Sequence, residues 1–325
     1  MILTILAIAF LILIHELGHL IAAKYSGVPV PEFSIGFGKI LVMKELGGTR
    51  YCLRWLLLGG YVKTDDGFQD LPPLTRIWVA LAGPGSNLLF AFVVFAAVSF
   101  IGLPQLTTKI GQVFPEKPAA KAGLLSGDRV VAVNGLPIVR WSEMTALVTE
   151  EKGRAVRLKV ERGQGAYEVS VVPENEGKKW MLGIKASGET ISTPHGLLGS
   201  IRNGITLMIE QLKSSAELFQ RLVGLSPVLD VLGPLQIVKV GAEQANIGWI
   251  SLLFFVAILS ANFVIFNLLP LPVLDGGLIA IALVESATGK KISKRVQLLA
   301  TKISMAAVIA LMSFVFLSDL LKLVR

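Results

Sequence analysis

The chain has few of the residues on which soluble proteins usually build their chemistry. Its 325 residues include one cysteine, Cys52, and three histidines. A single cysteine excludes an internal disulfide and a cysteine-rich zinc site. Charge is also sparse. Asp, Glu, Lys and Arg make up 17% of the chain, and none of them precedes Glu16. No five basic residues stand in a row, so the net charge of +8 is dispersed. That pattern argues against nucleic acid as a partner, and the loops between membrane spans account for much of the basic excess. The N-terminal apolar run lacks a basic segment ahead of it and an A-x-A-like exit after it. A cleaved signal peptide is therefore set aside, because cleavage would also discard the most chemically loaded stretch of the chain.

Apolar sequence is abundant. Hydrophobic residues make up 53% of the chain and the mean hydropathy is +0.67, values that point to several membrane spans. Four stretches are long enough: residues 2–23, 77–103, 249–269 and 296–321. The expected fold is thus a polytopic α-helical membrane protein. Lys24–Arg76 carries seven Lys/Arg, and the loop between the last two spans carries Lys290, Lys291, Lys294 and Arg295. The positive-inside rule puts both loops in the cytoplasm and both termini outside, with Pro104–Gly248 outside as well.

Within the first span stand His15, Glu16 and His19. Positions i and i+4 share a helix face, so both imidazoles reach one metal ion, with zinc the usual guest of this spacing. Glu16 is then placed to take a proton from water. An ionisable group at mid-membrane costs about 2.5–3.5 kcal/mol, a cost that persists where the group has partners and a task. A catalytic zinc commonly takes three protein ligands. The third candidate is Asp275, in the apolar stretch Asn267-Leu-Leu-Pro-Leu-Pro-Val-Leu-Asp-Gly-Gly. Its prolines break the helix, and Gly276-Gly277 suggests a tight turn that aims the carboxylate inward. Asp230 and Asp319 are rivals by charge alone, but the topology puts both outside. By the same topology His15, His19 and Asp275 share one depth, at the cytoplasmic ends of their spans. His195, after Thr193-Pro194, reads as a loop or helix-start residue and not a ligand.

Between the first two spans, residues 28–63 read as a β-hairpin region, with Gly47-Gly48 as the turn. Its strands are apolar enough to reach the membrane interface. It is either a structural hairpin or an exposed edge that pairs with an extended substrate. The second span contains Ala82-Gly-Pro-Gly-Ser-Asn87. Small residues there serve close helix packing, or Asn87 offers its amide to a substrate carbonyl or a developing oxyanion. Residues 188–248 form an outer segment, with amphipathic periodicity over Gly199–Val223.

Residues 107–187 look like a soluble inserted domain of short strands. The run Pro118-Ala-Ala-Lys-Ala-Gly-Leu-Leu-Ser-Gly-Asp-Arg-Val-Val-Ala-Val-Asn-Gly resembles bacterial PDZ domains. That resemblance implies a groove that accepts a peptide as an added strand. Leu182, Gly183 and Ile184 stand where a permuted PDZ would place its carboxylate loop, or are an ordinary closing strand.

Taken together, HELGH, Phe33-Ser-Ile-Gly-Phe-Gly38, Leu58-Gly-Gly-Tyr-Val-Lys63, Ala82-Gly-Pro, the PDZ run and Asn267-to-Gly277 make the chain similar to site-2 proteases. These are intramembrane zinc metalloproteases, and the likeness is greatest to the bacterial regulator-of-sigma-E type. The resemblance implies His15, His19 and Asp275 as Zn2+ ligands and Glu16 as catalytic base. It implies that Asn262 and Asn267 hold substrate, and that the glycine-rich hairpin with Gly36 and Gly38 receives it. It further implies a bacterial inner-membrane location, transmembrane protein substrates such as anti-sigma factors or signal-peptide remnants, and an upstream site-1 protease. Some relatives carry two PDZ domains, whereas this chain has room for one. Two other functions fit fewer residues. A membrane-anchored PDZ adaptor would have no reason to keep Glu16 and Asp275 buried. A metal transporter would need more polar groups along its spans.

Overall fold

The computed structural model of the chain describes residues 1–176, 179–223 and 233–324. Two compact units result: Met1–Phe100 together with His195–Arg325, and Ile101–Pro194.

The first unit begins with helix α1 (Ile2–Tyr25), apolar up to His15, which Ser26-Gly27 and the prolines at 29 and 31 stop. Strands β1 (Glu32–Leu46) and β2 (Thr49–Lys63) follow. They turn at Gly47 and Gly48, both with positive φ (58° and 74°), as a two-residue hairpin requires. The pairing folds back on itself. Phe33 lies beside Tyr51 on one side and Val62 on the other, and Glu32 pairs with both Arg50 and Lys63. Gly60–Lys63 is therefore an outer edge. Ile40–Met43, Leu46 and Trp55 are exposed, an apolar surface suited to the membrane interface. Arg54 ties the base of the hairpin together, donating to Ser34 Oγ, Gly38 O and Glu32 Oε1, and Tyr61 donates to the same Glu32 oxygen. Helix α2 (Pro73–Ile101) starts on a proline, which suits the first helical position, and contains Pro84.

The second unit comprises β3 (Pro104–Leu106), β4 (Ile110–Val113), α3 (Pro118–Lys121), β5 (Arg129–Val133), β6 (Leu136–Pro137), α4 (Trp141–Glu150), β7 (Val156–Arg162), β8 (Gly165–Val171), β9 (Glu174–Glu176), β10 (Lys179–Met181), β11 (Ile184–Ala186) and β12 (Thr190–Ser192). Its main sheet runs β6-β5-β7-β8. Along β7, Val156, Leu158 and Val160 are fully buried while Arg157 and Lys159 are exposed, the period-two pattern of a half-buried strand. Met144 and Val148, one turn apart on α4, close the core over this face. Asp128 is buried ahead of β5. It accepts bonds from Arg162, the Leu125 amide and Tyr167, and so ties β5, β7 and β8.

The first unit resumes with α5 (Leu197–Val223), α6 (Pro234–Ile247), α7 (Trp249–Asn267), α8 (Asp275–Thr288) and α9 (Lys294–Val324). Helices α1, α2, α7 and α9 are long and apolar enough to cross a membrane. Leu11 of α1 packs with Leu252, Phe255, Val256 and Leu259 of α7. The buried pair Arg76–Glu285 ties the start of α2 to α8, and the Ile292 amide donates to the other Glu285 oxygen.

One expectation needs correction. Gly276-Gly277 is not a turn; both residues lie buried in the first turn of α8. A Cβ on Gly276 would come 2.2 Å from the Leu268 carbonyl oxygen, so glycine serves close approach here. Asp319, set aside as a rival because it lies near the outward chain end, is engaged elsewhere. It is fully buried and accepts the Gly233 and Gln236 amides at 3.3 Å each, capping α6. Asp230 lies outside the described residues.

Candidate metal centre

Three residues from two distant segments meet in the first unit. His15 and His19 stand one turn apart on α1, and Asp275 is the first residue of α8. The Nε2 atoms of the two histidines are 3.1 Å apart. His15 Nε2 is 3.1 Å from Asp275 Oδ2, and His19 Nε2 is 3.3 Å from Asp275 Oδ1. These spacings suit one ion. Ligands at about 2.0–2.1 Å from a tetrahedral zinc stand about 3.3 Å from one another. Asp275 Oδ2 is buried and has no hydrogen-bond partner in the protein, an acceptor that a cation would satisfy. Two nitrogens and one carboxylate oxygen are a donor set that zinc accepts. Among the described residues this is the one cluster of three His, Cys, Asp or Glu side chains close enough to share a metal.

Helix position helps Asp275. It sits in the first turn of α8, where free N–H groups and the helix dipole favour negative charge. The residues just before it, with Pro270 and Pro272, cannot continue α7 and turn the chain back.

Helix α2 supplies the surroundings of the two imidazoles through one stripe at i, i+4 and i+8. The Val79 carbonyl accepts from His19 Nδ1 at 2.8 Å. Gly83 lies against both rings, and a Cβ there would fall 2.2 Å from His19 Nε2 and 2.8 Å from His15 Cε1. Asn87, fully buried, has its amide nitrogen 3.4 Å from His15 Nδ1. Ser86 donates to the Ile14 carbonyl and so joins α2 to α1 at this level. The i, i+4, i+8 spacing was visible in the sequence, but nothing there told which helix it faces.

A cavity of about 360 Å³ opens at the three candidate ligands. Glu16 lines it, as do Gly60, Tyr61 and Val62 of the hairpin's outer edge and Asn267 at the end of α7. Gly60 is pressed against Glu16; a Cβ there would come 2.8 Å from Glu16 Cγ. Asn262 lies elsewhere. Its Oδ1 accepts from Gln211 and Ser215 of α5 at 2.9 and 2.5 Å. Gly36 and Gly38, with φ of 87° and 84°, sit where the β1 register shifts and do not line the cavity. His195 stands just before α5, its amide donating to the Ser99 carbonyl.

In the second unit, Leu182, Gly183 and Ile184 line a separate groove of about 560 Å³, opposite Trp141, Met144, Thr145 and Val148 of α4.

Known proteins share this chain's sequence over almost its whole length. A protein of Clostridium acetobutylicum named "Putative zinc metalloprotease" is 33% identical, over 98% of this chain and 96% of that one. A protein of the same name from Campylobacter jejuni is 32% identical, over 99% and 93%. The regulator of sigma E protease of Haemophilus influenzae is 28% identical, over 98% of each chain. Residues 3–311 match Peptidase family M50, so the span with His15 and His19 and the segment with Asp275 fall inside one family match, and the chain belongs to that family.

Proposed function

We propose that the protein is a zinc-dependent intramembrane endopeptidase of the regulator-of-sigma-E type, cutting transmembrane segments of other membrane proteins. The observation that carries this reading is the convergence of His15, His19 and Asp275 at 3.1–3.3 Å, beside a glutamate, with both histidines on a helix apolar enough to cross a membrane.

His15, His19 and Asp275 hold the zinc. When bound, the ion polarises the scissile carbonyl and makes a neighbouring water more acidic. Glu16 shares the cavity, where it takes a proton from the attacking water and returns it to the leaving amine. A helical substrate hides its peptide bonds and must unwind first. The outer edge Gly60–Lys63 then offers backbone groups to the extended substrate as an added strand. Asn267 borders the same cavity and supplies a side-chain amide to that strand. Asn262 acts at one remove, by tying α5 to α7.

The unit Ile101–Pro194 is read as a single PDZ domain outside the membrane, with its peptide groove at Leu182–Ile184. In this reading it holds back substrates with bulky ectodomains, so that an upstream site-1 cut licenses the second. The location is the bacterial inner membrane, with both termini outside. Anti-sigma factors and signal-peptide remnants are the substrate classes that fit.

Cleavage of a tagged single-span substrate in detergent tests the reading. Wild type should cut, and Glu16→Gln or a chelator should abolish the cut. Equal cutting by Glu16→Gln would assign the chemistry to another group and overturn it.

A further inference from the structure

We infer that Asn87 is a positioning residue for His15: its side-chain carbonyl accepts the Nδ1 proton of that ring and so fixes the tautomer whose Nε2 lone pair faces the metal. The inference rests on the metal-centre reading and replaces the substrate contact expected for Asn87 from sequence.

Four observations carry it. Asn87 is fully buried, and its amide nitrogen lies 3.4 Å from His15 Nδ1. With the amide nitrogen on that side, Asn87 Oδ1 is buried without a partner, the costly arrangement for such a group. Turning the amide by half a turn places Oδ1 against Nδ1 and gives that oxygen a partner; the two orientations have the same shape. The helix itself is held, because the Asn87 main-chain carbonyl accepts from Ser260 Oγ at 2.8 Å.

The neighbouring histidine gives the chemical logic. Val79 O can only accept, so His19 carries its proton on Nδ1 and presents a bare Nε2 to Asp275. His15 needs the same tautomer to join the same ion. If Asn87 donated to Nδ1 instead, the His15 proton would sit on Nε2. That proton would lie between the two imidazoles and Asp275, where the cation belongs. Val79 and Asn87 thus perform one task for two rings, two turns apart on α2, one through a main-chain oxygen and the other through a side-chain oxygen.

The test is zinc affinity of the full chain in detergent, by competition with a chromophoric chelator, together with the visible spectrum of the cobalt-substituted protein. Asn87→Leu is expected to bind zinc about 10–100-fold more weakly, as for loss of an outer-shell partner. Asn87→Asp, which can only accept, is expected to bind at least as tightly as wild type and to keep the tetrahedral cobalt bands. Wild-type affinity in Asn87→Leu would overturn the inference, most clearly if KM for substrate rose instead. A tenfold or greater loss in Asn87→Asp would overturn it too, and decides the matter if Asn87→Leu does not fold. His15→Ala separates the two levels: if it retains wild-type affinity, the metal-centre reading itself falls, whatever Asn87 does.

Discussion

At the scale of single residues, the centre depends as much on an absent side chain as on those present. Gly83 is the one position on the α2 stripe where a methyl group would occupy the space of both imidazole rings. Gly83→Ala is expected to displace His19 or push α2 from α1, at about 1–3 kcal/mol. Zinc affinity measured by chelator competition should fall, while Gly85→Ala, which meets open space, should leave it unchanged. This scale also divides what was legible in the sequence from what was not. His15, Glu16 and His19 were legible because a four-residue spacing on a helix needs no tertiary information. Asp275 stood out as an isolated charge in an apolar run. Val79 was invisible because its contribution is a main-chain oxygen, which every residue has. Asn87 was singled out as a polar group in a span, but its facing His15 depends on how α2 packs on α1, which periodicity does not specify.

Among elements, the boundaries that sequence placed best were those with punctuation. The hairpin turn fell at Gly47-Gly48 as expected, whereas α2 begins on Pro73, four residues ahead of the expected 77. The break after α7 was expected from Pro270 and Pro272, yet α8 was not, because two glycines at its start read as a turn signal. Their true role is contact with the Leu268 and Leu271 carbonyls, a tertiary demand that overrides local propensity. Helix α6 was likewise unannounced, having no long apolar stripe. In the inserted unit, strand order hangs on Asp128. Burial works against its charge, but Arg162, the Leu125 amide and Tyr167 outweigh burial and hold the carboxyl below its ordinary value. A carboxyl depressed in the folded state adds stability that is present above the unfolded-chain value of about 3.9 and is lost as pH falls through the lower folded value. Protection factors of β7 and β8 amides against hydrogen exchange in the full chain should therefore fall below about pH 4. Asp128→Asn should exchange faster at neutral pH, consistent with loss of about 2 kcal/mol, and should show a flatter acid dependence.

For the whole molecule, the four apolar helices and the basic loops between them define a topology that labelling can check. Cys52 is the chain's one thiol and is buried, so Cys52→Ser gives a silent background for introduced cysteines. A cysteine at Lys290 should be reached only by reagents that enter the cytoplasm. One at Gln164, in the β7–β8 turn, should be reached from outside. The reverse pattern would invert the orientation and put the inserted unit in the cytoplasm, away from any ectodomain it could sense. The four spans were readable because membrane crossing sets a length and a hydropathy that local sequence carries. The meeting of Asp275 with α1 was expected from their shared depth and from the resemblance and not from local pattern, since it joins residues roughly 250 positions apart.

That separation has a consequence for the life of the polypeptide before it is finished. The two histidines and Glu16 leave the ribosome early, while the carboxylate that completes the donor set is made only after five-sixths of the chain. At about 5–20 residues per second, roughly 13–50 seconds pass between them. During that interval the nascent protein sits in a membrane crowded with other newly inserted helices, carrying a base but no finished centre. On the proposed reading, placing the last ligand at the head of α8 would make synthesis itself the safety catch: a truncated or stalled chain would lack a finished centre, and activity would begin only when the C-terminal part has arrived and docked.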